Sequence, residues 1–312
     1  MHLVHGDSAA ATVAHNGVPS DAIRVFKDLL TVGPCDEDPA RHRTLRSAYW
    51  HTGAWPREAA LPPDAPLIVW ATLAWSDQLF LWWLFDAFER DGVDLPRLSW
   101  AQPHAGERFH ASVGGVSAAA LSEALAQARP VSPAQLAQGA SLWRKYAAES
   151  PLAFDEARRA GSPSFPELAR TAEVHGVWFP RRVGGRLRLA AFDELILSTL
   201  NEEWRTPSDL LRTDPGQHIP DRFFLPFGDL FFLRRLRDWA DHGILKSEDR
   251  GGDSAFSAVA YRREAAGRRL VEEGLKTVAD APPLYVGGCH VNNSAEPWVR
   301  IDDGDDWRLA RG

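Results

Sequence analysis

Cysteine is almost absent from this sequence, because the 312 residues include only Cys35 and Cys289. Two thiols so far apart along the chain build neither a disulfide framework nor a four-thiolate metal site. The eleven histidines are scattered and form no His-Glu-x-x-His motif, so zinc binding has no support in the sequence either. We therefore predict no metal site, and the low cysteine content predicts a cytoplasmic location.

A long apolar run is also missing. The most apolar stretch, Leu79 to Phe88, is interrupted by Asp86 and is far shorter than the roughly 20 residues that a membrane-spanning helix needs. Residues 1–7 have neither the basic start nor the apolar centre of a signal peptide. The sequence therefore predicts no membrane partner.

The glycine-rich loops that bind nucleotide cofactors are absent as well. Neither Gly-x-x-x-x-Gly-Lys-Ser/Thr nor Gly-x-Gly-x-x-Gly follows the first predicted strand. ATP hydrolysis by a P-loop and hydride transfer from a dinucleotide are therefore both disfavoured, and we predict no cofactor.

The composition that is present is that of a folded, multi-domain chain. A length of 312 residues fits about two domains on the usual prior, and 45% hydrophobic with 25% charged residues allows an ordinary core. Thirteen Trp against one Met indicate bulky aromatic packing. The formal net charge of −7 argues against a whole surface built to hold polyanions, although a local basic face is compatible with it.

The first third of the chain alternates predicted strands with predicted helices. Helices are predicted for the small-residue run Ala9 to Ala14 and from Asp77 onwards. This alternation predicts a small, mainly parallel α/β sheet, Rossmann-like or flavodoxin-like, in a domain of residues 1–115. The strands are predicted at His2 to His5, Ala22 to Lys27, Pro66 to Trp70 and Arg97 to Trp100.

The rest of the chain changes character after residue 115. Residues 116–180 are predicted to form a helical connector, in which Ser132-Pro133-Ala134-Gln135 has the pattern of a capping box. The basic, glycine-containing segment Arg181 to Arg186 is predicted to be a linker. Residues 186–275 contain three helical segments followed by a hairpin, which is the order of a winged-helix unit. Residues 276–312 are predicted to form a β-rich tail.

Three segments together resemble the uncharacterised bacterial family known as domain of unknown function 1835. They are His2 to Ala10 (HLVHGDSAA), Phe26 to Pro34 (FKDLLTVGP), and Ile68 to Trp70 followed by Asp77 to Leu79. The C-terminal Val286 to Val291, followed by Trp298, is similar to the tail often found in such proteins. The family has no established activity, so the resemblance implies a relationship but no reaction.

Polar residues follow each of the first three predicted strands. Because ligands bind at the carboxyl ends of the strands in an open parallel sheet, we predict one site there. Asp7 and Asp28 are the candidate catalytic residues, acting as a general base or as a ligand-orienting acid. The helix N-terminus at Ser8 is the candidate anion binder. The predicted ligand-binding residues are Gly6, Ser8, Gly33, Asp77 and Gln78.

Each of these residues also has an ordinary structural interpretation. Ser8 and Asp77 could be helix N-caps, and Asp28 and Gly33-Pro34 could be turn formers. A second basic group leaves two alternatives open, because its members could bind an anionic ligand or pair with Asp36, Glu37 and Asp38. That group consists of Arg41, Arg43 and Arg46.

The function that the sequence favours is binding of a phosphorylated or nucleotide-like small molecule, with an enzymatic role left open. The rival is a metabolite-sensing regulator that contacts DNA through the third helix of the winged-helix-like unit, using Arg234, Arg235 and Arg237. Asp238 and Asp241 interleave with these arginines and weaken the positive field. A structural adaptor is the third alternative. The sequence sets neither the substrate nor the oligomeric state.

Overall fold

A computed structural model of the chain describes residues 1–50, 65–106, 111–212, 228–293, 297–304 and 306–312. These residues form two compact units. The first contains residues 1–172 and 287–289, and the second contains residues 173–286 and 290–312.

The first unit is built on a five-stranded sheet. Its strands are β1 (His2–His5), β2 (Ile23–Phe26), β4 (Leu67–Trp70), β5 (Leu98–Ala101) and β6 (Arg129–Pro130). They lie in the order β2-β1-β4-β5-β6, and the first four are parallel. Strand β6 pairs antiparallel with β5. The prediction of an α/β region with a mainly parallel sheet is therefore confirmed.

The strands of this sheet are apolar because both faces are covered. Leu3 and Val4 of β1 and Val69 of β4 are completely buried, as is usual for parallel strands with helices on both sides. The short strand β3 (Gly33–Pro34) lies outside this sheet. The helices are α1 (Asp7–His15), α2 (Pro39–Trp50), α3 (Trp75–Asp91), α4 (Ala118–Ala126), α5 (Pro133–Ala147), α6 (Leu152–Ala160) and α7 (Leu168–Thr171).

Helices that the sequence analysis placed in a separate connector belong to this first unit. Helix α5 packs along α3, and the ring of Tyr146 meets the ring of Trp75 edge-on at 5.6 Å. The ring of Trp82 lies 6.0 Å from that of Phe154 on α6. Tryptophan thus fills the space between helices, as its large apolar area suits it to do.

The start of α5 confirms the predicted capping box. The backbone N–H of Gln135 donates to Ser132 Oγ at 3.2 Å, and the backbone N–H of Ser132 donates to Gln135 Oε1 at 3.0 Å. Two helix-terminal donors are satisfied in this way.

In its described residues, the second unit has three helices before an antiparallel hairpin. The helices are α8 (Ala191–Thr199), α9 (Pro207–Arg212) and α10 (Gly228–Asp241), and the hairpin joins β9 (Leu245–Asp249) to β10 (Val259–Arg263). Helix α11 (Ala265–Glu273) follows, and then the short strands β11 (Tyr285–Gly287) and β12 (Cys289–His290). The winged-helix interpretation of these elements stays a prediction.

The predicted linker at residues 181–186 is wrong, because this segment forms a β-hairpin. Strands β7 (Arg181–Val183) and β8 (Arg186–Arg188) pair antiparallel around Gly184 and Gly185, both of which have positive φ. Two consecutive positive φ values suit the tight turns of two-residue hairpins, and glycine adopts them without steric cost.

The same hairpin belongs to a four-stranded sheet of the second unit. The order is β14-β13-β7-β8, where β13 is Trp298–Asp303 and β14 is Asp306–Arg311. The C-terminal residues are therefore rich in strand, as predicted. Short 3-10 helices lie at Ser20–Ala22, Leu95–Arg97, Val113–Gly115, Ala172–Trp178 and Val278–Asp280. Within the described ranges, no helix is both long enough and apolar enough to cross a membrane.

Candidate functional site

The strand order of the first unit creates a point where two chain connections diverge. From β1 the chain runs to its neighbour β2, and from β2 it crosses to β4 on the other side of β1. Open α/β sheets bind ligands just beyond the carboxyl ends of the strands at such a point. The residues that follow β1, β2 and β4 are therefore the place to look for a site.

His5, the last residue of β1, stands at the centre of this edge. Its Nε2 lies 2.8 Å from the backbone oxygen of Asp28, and its Nδ1 lies 4.0 Å from Oδ1 of Asp77. A carbonyl oxygen only accepts, so Nε2 carries the hydrogen and Nδ1 has its lone pair free in the neutral ring. The ring of Phe80 stacks on His5 at 5.5 Å. His5 is therefore held in one orientation between two acidic residues.

Asp77 is completely buried, and its two carboxylate oxygens have different surroundings. Oδ2 accepts from the backbone N–H of Thr72 at 3.2 Å, from the Thr72 hydroxyl at 2.9 Å and from the backbone N–H of Val113 at 2.9 Å. Oδ1 is buried and has no hydrogen-bond partner among the described residues. Burial raises the pKa of Asp77 above its ordinary value, against the opposing effects of His5, Thr72 and Val113.

One interpretation of the sequence made Asp77 the N-cap of α3, and the structure shows that it is not. The helix starts at Trp75 with Ala74 at the N-cap, so Asp77 is the third helical residue and reaches back to the Thr72 loop. The adjacent Gln78 is also buried, and its Nε2 donates to the backbone oxygen of Thr72 at 2.6 Å. Asp77 and Gln78 together fix the loop that follows β4.

Asp28, just beyond β2, is bound by two basic side chains of α2. Its Oδ1 accepts from Arg46 Nε at 2.8 Å and also from Arg46 Nη2, and its Oδ2 lies 3.1 Å from His42 Nε2. Burial by itself raises the pKa of Asp28, but the Arg46 charge and the His42 hydrogen bond outweigh it, so the pKa is lowered. A carboxylate paired in this way is a poor proton acceptor.

The remaining donors of Arg46 bond to the loop that carries Asp28. It is completely buried, and it donates to the backbone oxygens of Val32 at 2.6 Å and Leu29 at 2.7 Å. A Cβ at Gly33 would lie 2.7 Å from Arg46 Nη1, so Gly33 leaves room for the guanidinium. Of the two alternatives for Arg46, pairing with an acid is what the structure shows, although the acid is Asp28. Arg41 pairs with Asp36 at 3.1 Å.

The start of α1 is exposed and has no side-chain cap. Gly6 occupies the N-cap with a φ of 84° and gives the helix no side-chain cap hydrogen bond, so neither Asp7 nor Ser8 is the cap. Asp7 is exposed and pairs with Lys27 at 2.8 Å, and Ser8 is exposed. Free N–H groups at a helix start attract anions.

The turn Val113–Gly115 connects the two parts of the site. The backbone N–H of Val113 bonds to Asp77, and a Cβ at Gly114 would lie 2.8 Å from Ser8 Cβ. Glycine at 114 thus lets this turn rest directly on the first turn of α1. The loop after β4 and the start of α1 are in this way fixed to the same short segment.

A cavity of about 890 Å³ lies beside this edge, within the first unit. Leu73, which follows Thr72, and Val116, which follows the turn, both line it. Trp100 of β5 and the exposed side chains Gln102 and His104 line another part of its wall. Its volume lies in the range of cavities that hold small molecules.

The structure brings some of the predicted site residues together and separates their roles. Asp28 and Gly33 lie between β2 and α2, and Asp77 and Gln78 lie in the first turn of α3, whereas Asp7 and Ser8 are exposed at the start of α1. The roles of Asp7 and Asp28 as general bases stay predictions. The residues that the sequence analysis did not assign to the site are His5, His42, Thr72 and Val113.

One sequence signal pointed to His5, since it directly precedes Gly6 at the end of the first predicted strand. His42 and Thr72 carried no such signal, because their partners are set by the packing of α2 and of the loop after β4. Among the described residues, no group of three or more His, Cys, Asp or Glu side chains is arranged to hold a metal ion.

The three arginines proposed for DNA contact have very different surroundings in the second unit. Arg235 is completely buried and bonds Asp193 through Nε at 2.7 Å and Nη2 at 2.6 Å, so it does not fit a role on a DNA-binding surface. Arg234 lies 3.7 Å from Asp238 on the same helix. Arg237 is exposed.

Comparison with known proteins adds no relative to this description. No protein-family model matches the chain, and no curated protein matches it. The resemblance to domain of unknown function 1835 therefore stays a prediction.

Proposed function

We propose that this is a cytoplasmic protein whose first unit binds a phosphorylated or nucleotide-like small molecule at the carboxyl edge of β1, β2 and β4. The observation that carries the proposal is the buried Asp77 carboxylate, whose Oδ1 faces His5 and has no hydrogen-bond partner in the part of the chain that the structure describes. Leaving a buried carboxylate oxygen unpaired costs stability, and such groups concentrate where a protein handles a ligand.

Three further features support this location. The strand order corresponds to the flavodoxin-like order 2-1-3-4-5 once β3, which lies outside the sheet, is left out of the count. The uncapped start of α1 offers backbone N–H groups to an anion. The third feature is the neighbouring cavity of about 890 Å³, which is lined by Leu73 after β4 and by residues around β5 and α4 and lies beside the proposed anion position.

The experiment is a melting-temperature screen at low salt against nucleotides, sugar phosphates and a mixed DNA duplex. A ligand at about a hundred times its Kd adds roughly 2.7 kcal/mol to the stability of the unit that binds it, which is a measurable shift. We expect a phosphorylated compound to raise the melting temperature.

A matched pair of charge variants then tests the location. Ser8→Glu adds a negative charge in the exposed first turn of α1, where it suits the helix dipole but repels an anionic ligand. Ala11→Glu adds the same charge to an exposed position of the same helix beyond the first residues. We expect the ligand-induced shift to fall in Ser8→Glu and to persist in Ala11→Glu. Equal shifts in both variants would place the ligand elsewhere.

The rival function, a regulator with a winged helix in the second unit, has less support. With Arg235 buried, the proposed DNA surface retains only Arg237 and the partly buried Arg234, which faces Asp238. Mixed charge of this kind is typical of an ordinary solvated face. A shift with duplex DNA alone in the screen would reverse this preference, and no shift with any compound would favour the adaptor.

A further inference from the structure

The hydrogen bonds around His5 and Asp77 leave one position for an additional proton. His5 Nε2 donates to the backbone oxygen of Asp28, so only Nδ1 of the ring can accept. Asp77 Oδ2 already accepts three hydrogen bonds, so a proton on this carboxyl group goes to Oδ1. The two free atoms are those that face each other at 4.0 Å.

Two acceptors facing each other in a buried place repel unless a proton lies between them. A proton on Nδ1 makes an imidazolium beside a carboxylate, and a proton on Oδ1 makes a carboxyl group beside a neutral ring. Either arrangement turns the repulsion into an attraction. The burial that raises the pKa of Asp77 favours retention of this proton.

The neighbouring charges that the structure describes are already balanced. Asp28 is paired with Arg46, with His42 on its second oxygen, and Asp7 is paired with Lys27 at the end of β2. The turn that contacts Asp77 from the other side contributes a backbone N–H and no charge. The proton on the pair therefore decides whether the start of α1 adjoins a net charge of zero or of about −1.

We propose that His5 and Asp77 share one proton, and that the pair in this protonated form admits an oxyanion of the ligand at the start of α1. His5 touches the ligand, because 12% of its side chain is exposed next to Gly6, and Asp77 is the positioning residue behind it. This inference rests on the proposed function and deepens it, since it identifies the recognised group and couples its binding to a proton.

The proton itself is tested without any ligand, by nitrogen NMR of the histidine rings in the full chain. Asp77→Asn keeps the shape of the side chain and can donate an amide hydrogen to Nδ1, but it has no titrating proton. We expect the pH dependence of the His5 nitrogen signals to change in this variant, because the pair no longer has a proton to share. Unchanged titration of His5 in Asp77→Asn would overturn the proposal.

Two controls make this measurement specific. His2 lies on the same strand, and its Nδ1 accepts from Trp70 Nε1 at 3.0 Å, so its signals should be the same in the variant. Asp91→Asn removes an equal charge from the exposed C-terminal end of α3. We expect this variant to leave the titration of His5 unchanged.

The coupling to an anion is tested with sulfate, which does not change charge between pH 6 and 8.5. In the wild-type protein, sulfate affinity should fall by about tenfold per pH unit once the pair has lost its proton. In Asp77→Asn the affinity should change little with pH, so that at pH 8.5 the variant binds sulfate more tightly than the wild type does.

The two experiments fail separately. A wild-type affinity that is constant with pH would overturn the coupling, while the shared proton would stand on the NMR result. Sulfate that does not bind at any pH would contradict both the oxyanion assignment and the anion site of the proposed function. An unchanged His5 titration together with sulfate binding would leave the proposed function intact and remove only the shared proton.

Discussion

Two buried carboxylates, one in each unit, are held in opposite ways. In the second unit, Asp193 accepts on both oxygens from Arg235, and its Oδ1 also accepts from Trp239 Nε1 at 3.0 Å. Arg235 directs its remaining donor, Nη1, at the backbone oxygens of Pro282 and Pro283, both at 3.1 Å. In the first unit, the nearest basic side chain to Asp77 among the described residues is His5, at 4.0 Å.

The two arrangements suit different roles. A buried ion pair whose donors and acceptors are all satisfied fixes the packing of the elements that carry it, and it has nothing left to offer a ligand. Asp28 with Arg46 belongs to the same closed type. Asp77 has one oxygen that no described residue bonds, next to a histidine that reaches the surface, and this open arrangement is what a ligand or a proton can use.

Removal of one partner of the closed pair in the second unit should reduce stability the most. Arg235→Met leaves Asp193 buried without its cation, which should reduce the free energy of unfolding of that unit by about 3–5 kcal/mol. Urea denaturation with hydrogen exchange of α8 and α10 measures it, because exchange reports the affected unit in a chain with two compact units.

A matched control lies two residues further along the same helix. Arg237→Met removes an exposed arginine, and we expect a change within about 0.5 kcal/mol. The double variant Asp193→Leu/Arg235→Met should recover much of the loss, since no unpaired charge remains. Similar losses in Arg235→Met and Arg237→Met would contradict the closed-pair interpretation.

The second effect on stability concerns Asp28, a closed carboxylate in the first unit. Asp28→Asn leaves the Arg46 charge unmatched and should reduce the free energy of unfolding by about 2–3 kcal/mol at pH 7. Because the folded-state pKa of Asp28 is lowered, its contribution is present above the unfolded-state pKa of about 3.9 and is lost as the pH falls through the folded value.

The difference between the wild type and Asp28→Asn should therefore shrink in acid. Urea denaturation of both proteins at pH 7, 4 and 3 checks this. Asp7→Asn is the control, because its partner Lys27 is exposed and such pairs contribute little. A loss in Asp28→Asn that is the same at every pH would exclude the ion pair as its cause.

The third effect is steric and concerns the loop that holds the Asp28–Arg46 pair. At Gly33 the φ is +83°, and an added Cβ would lie 2.7 Å from Arg46 Nη1, so Gly33→Ala should cost about 2 kcal/mol. At Gly17 the φ is +90° with nothing within 4 Å, and Gly17→Ala should cost only about 1 kcal/mol. Thermal denaturation of both compares them, and equal losses would show that Arg46 tolerates the contact.

Sequence patterns predicted many of the elements, although not the hairpin at residues 181–188, and they did not predict these pairs. The apolar run at residues 66–70 predicted β4, and the Ser132 motif predicted the start of α5. Asp28 and Arg46 are 18 residues apart, and Asp193 and Arg235 are 42 apart, so their pairing depends on packing that no local pattern encodes. For the same reason Arg235 looked like a surface cation in the sequence, although it is buried.

The candidate site shows the same division. The order of strands and helices predicted the carboxyl edge of the sheet. It also placed Asp77 and Gln78 in the segment that follows β4, where they lie. The interpretation of Ser8 as the N-cap of α1 was wrong, because Gly6 takes the cap position. His5 acquires its importance from two contacts with residues far along the chain, and only the folded structure displays them.

The smallest expected effect on stability comes from Asp77→Asn, and it has the opposite pH dependence to Asp28→Asn. The folded-state pKa of Asp77 is raised, so its stabilising contribution is present below the unfolded-state pKa of about 3.9 and is lost as the pH rises through the folded value. The asparagine has no such loss. Compared with the wild type, the variant should therefore gain stability as the pH rises.

Urea denaturation at pH 5 and pH 8.5 measures this difference. We expect the free energy of unfolding of Asp77→Asn to lie within about 1 kcal/mol of the wild-type value at pH 7. The amide oxygen of the asparagine can still accept the hydrogen bonds that Thr72 and Val113 donate to Oδ2 in the wild type. A loss as large as that of Asp28→Asn would mean that Asp77 is another closed carboxylate, held by its charge. A gain at high pH would instead show that the wild-type protein retains a destabilising group at this site, as proteins do where binding requires it.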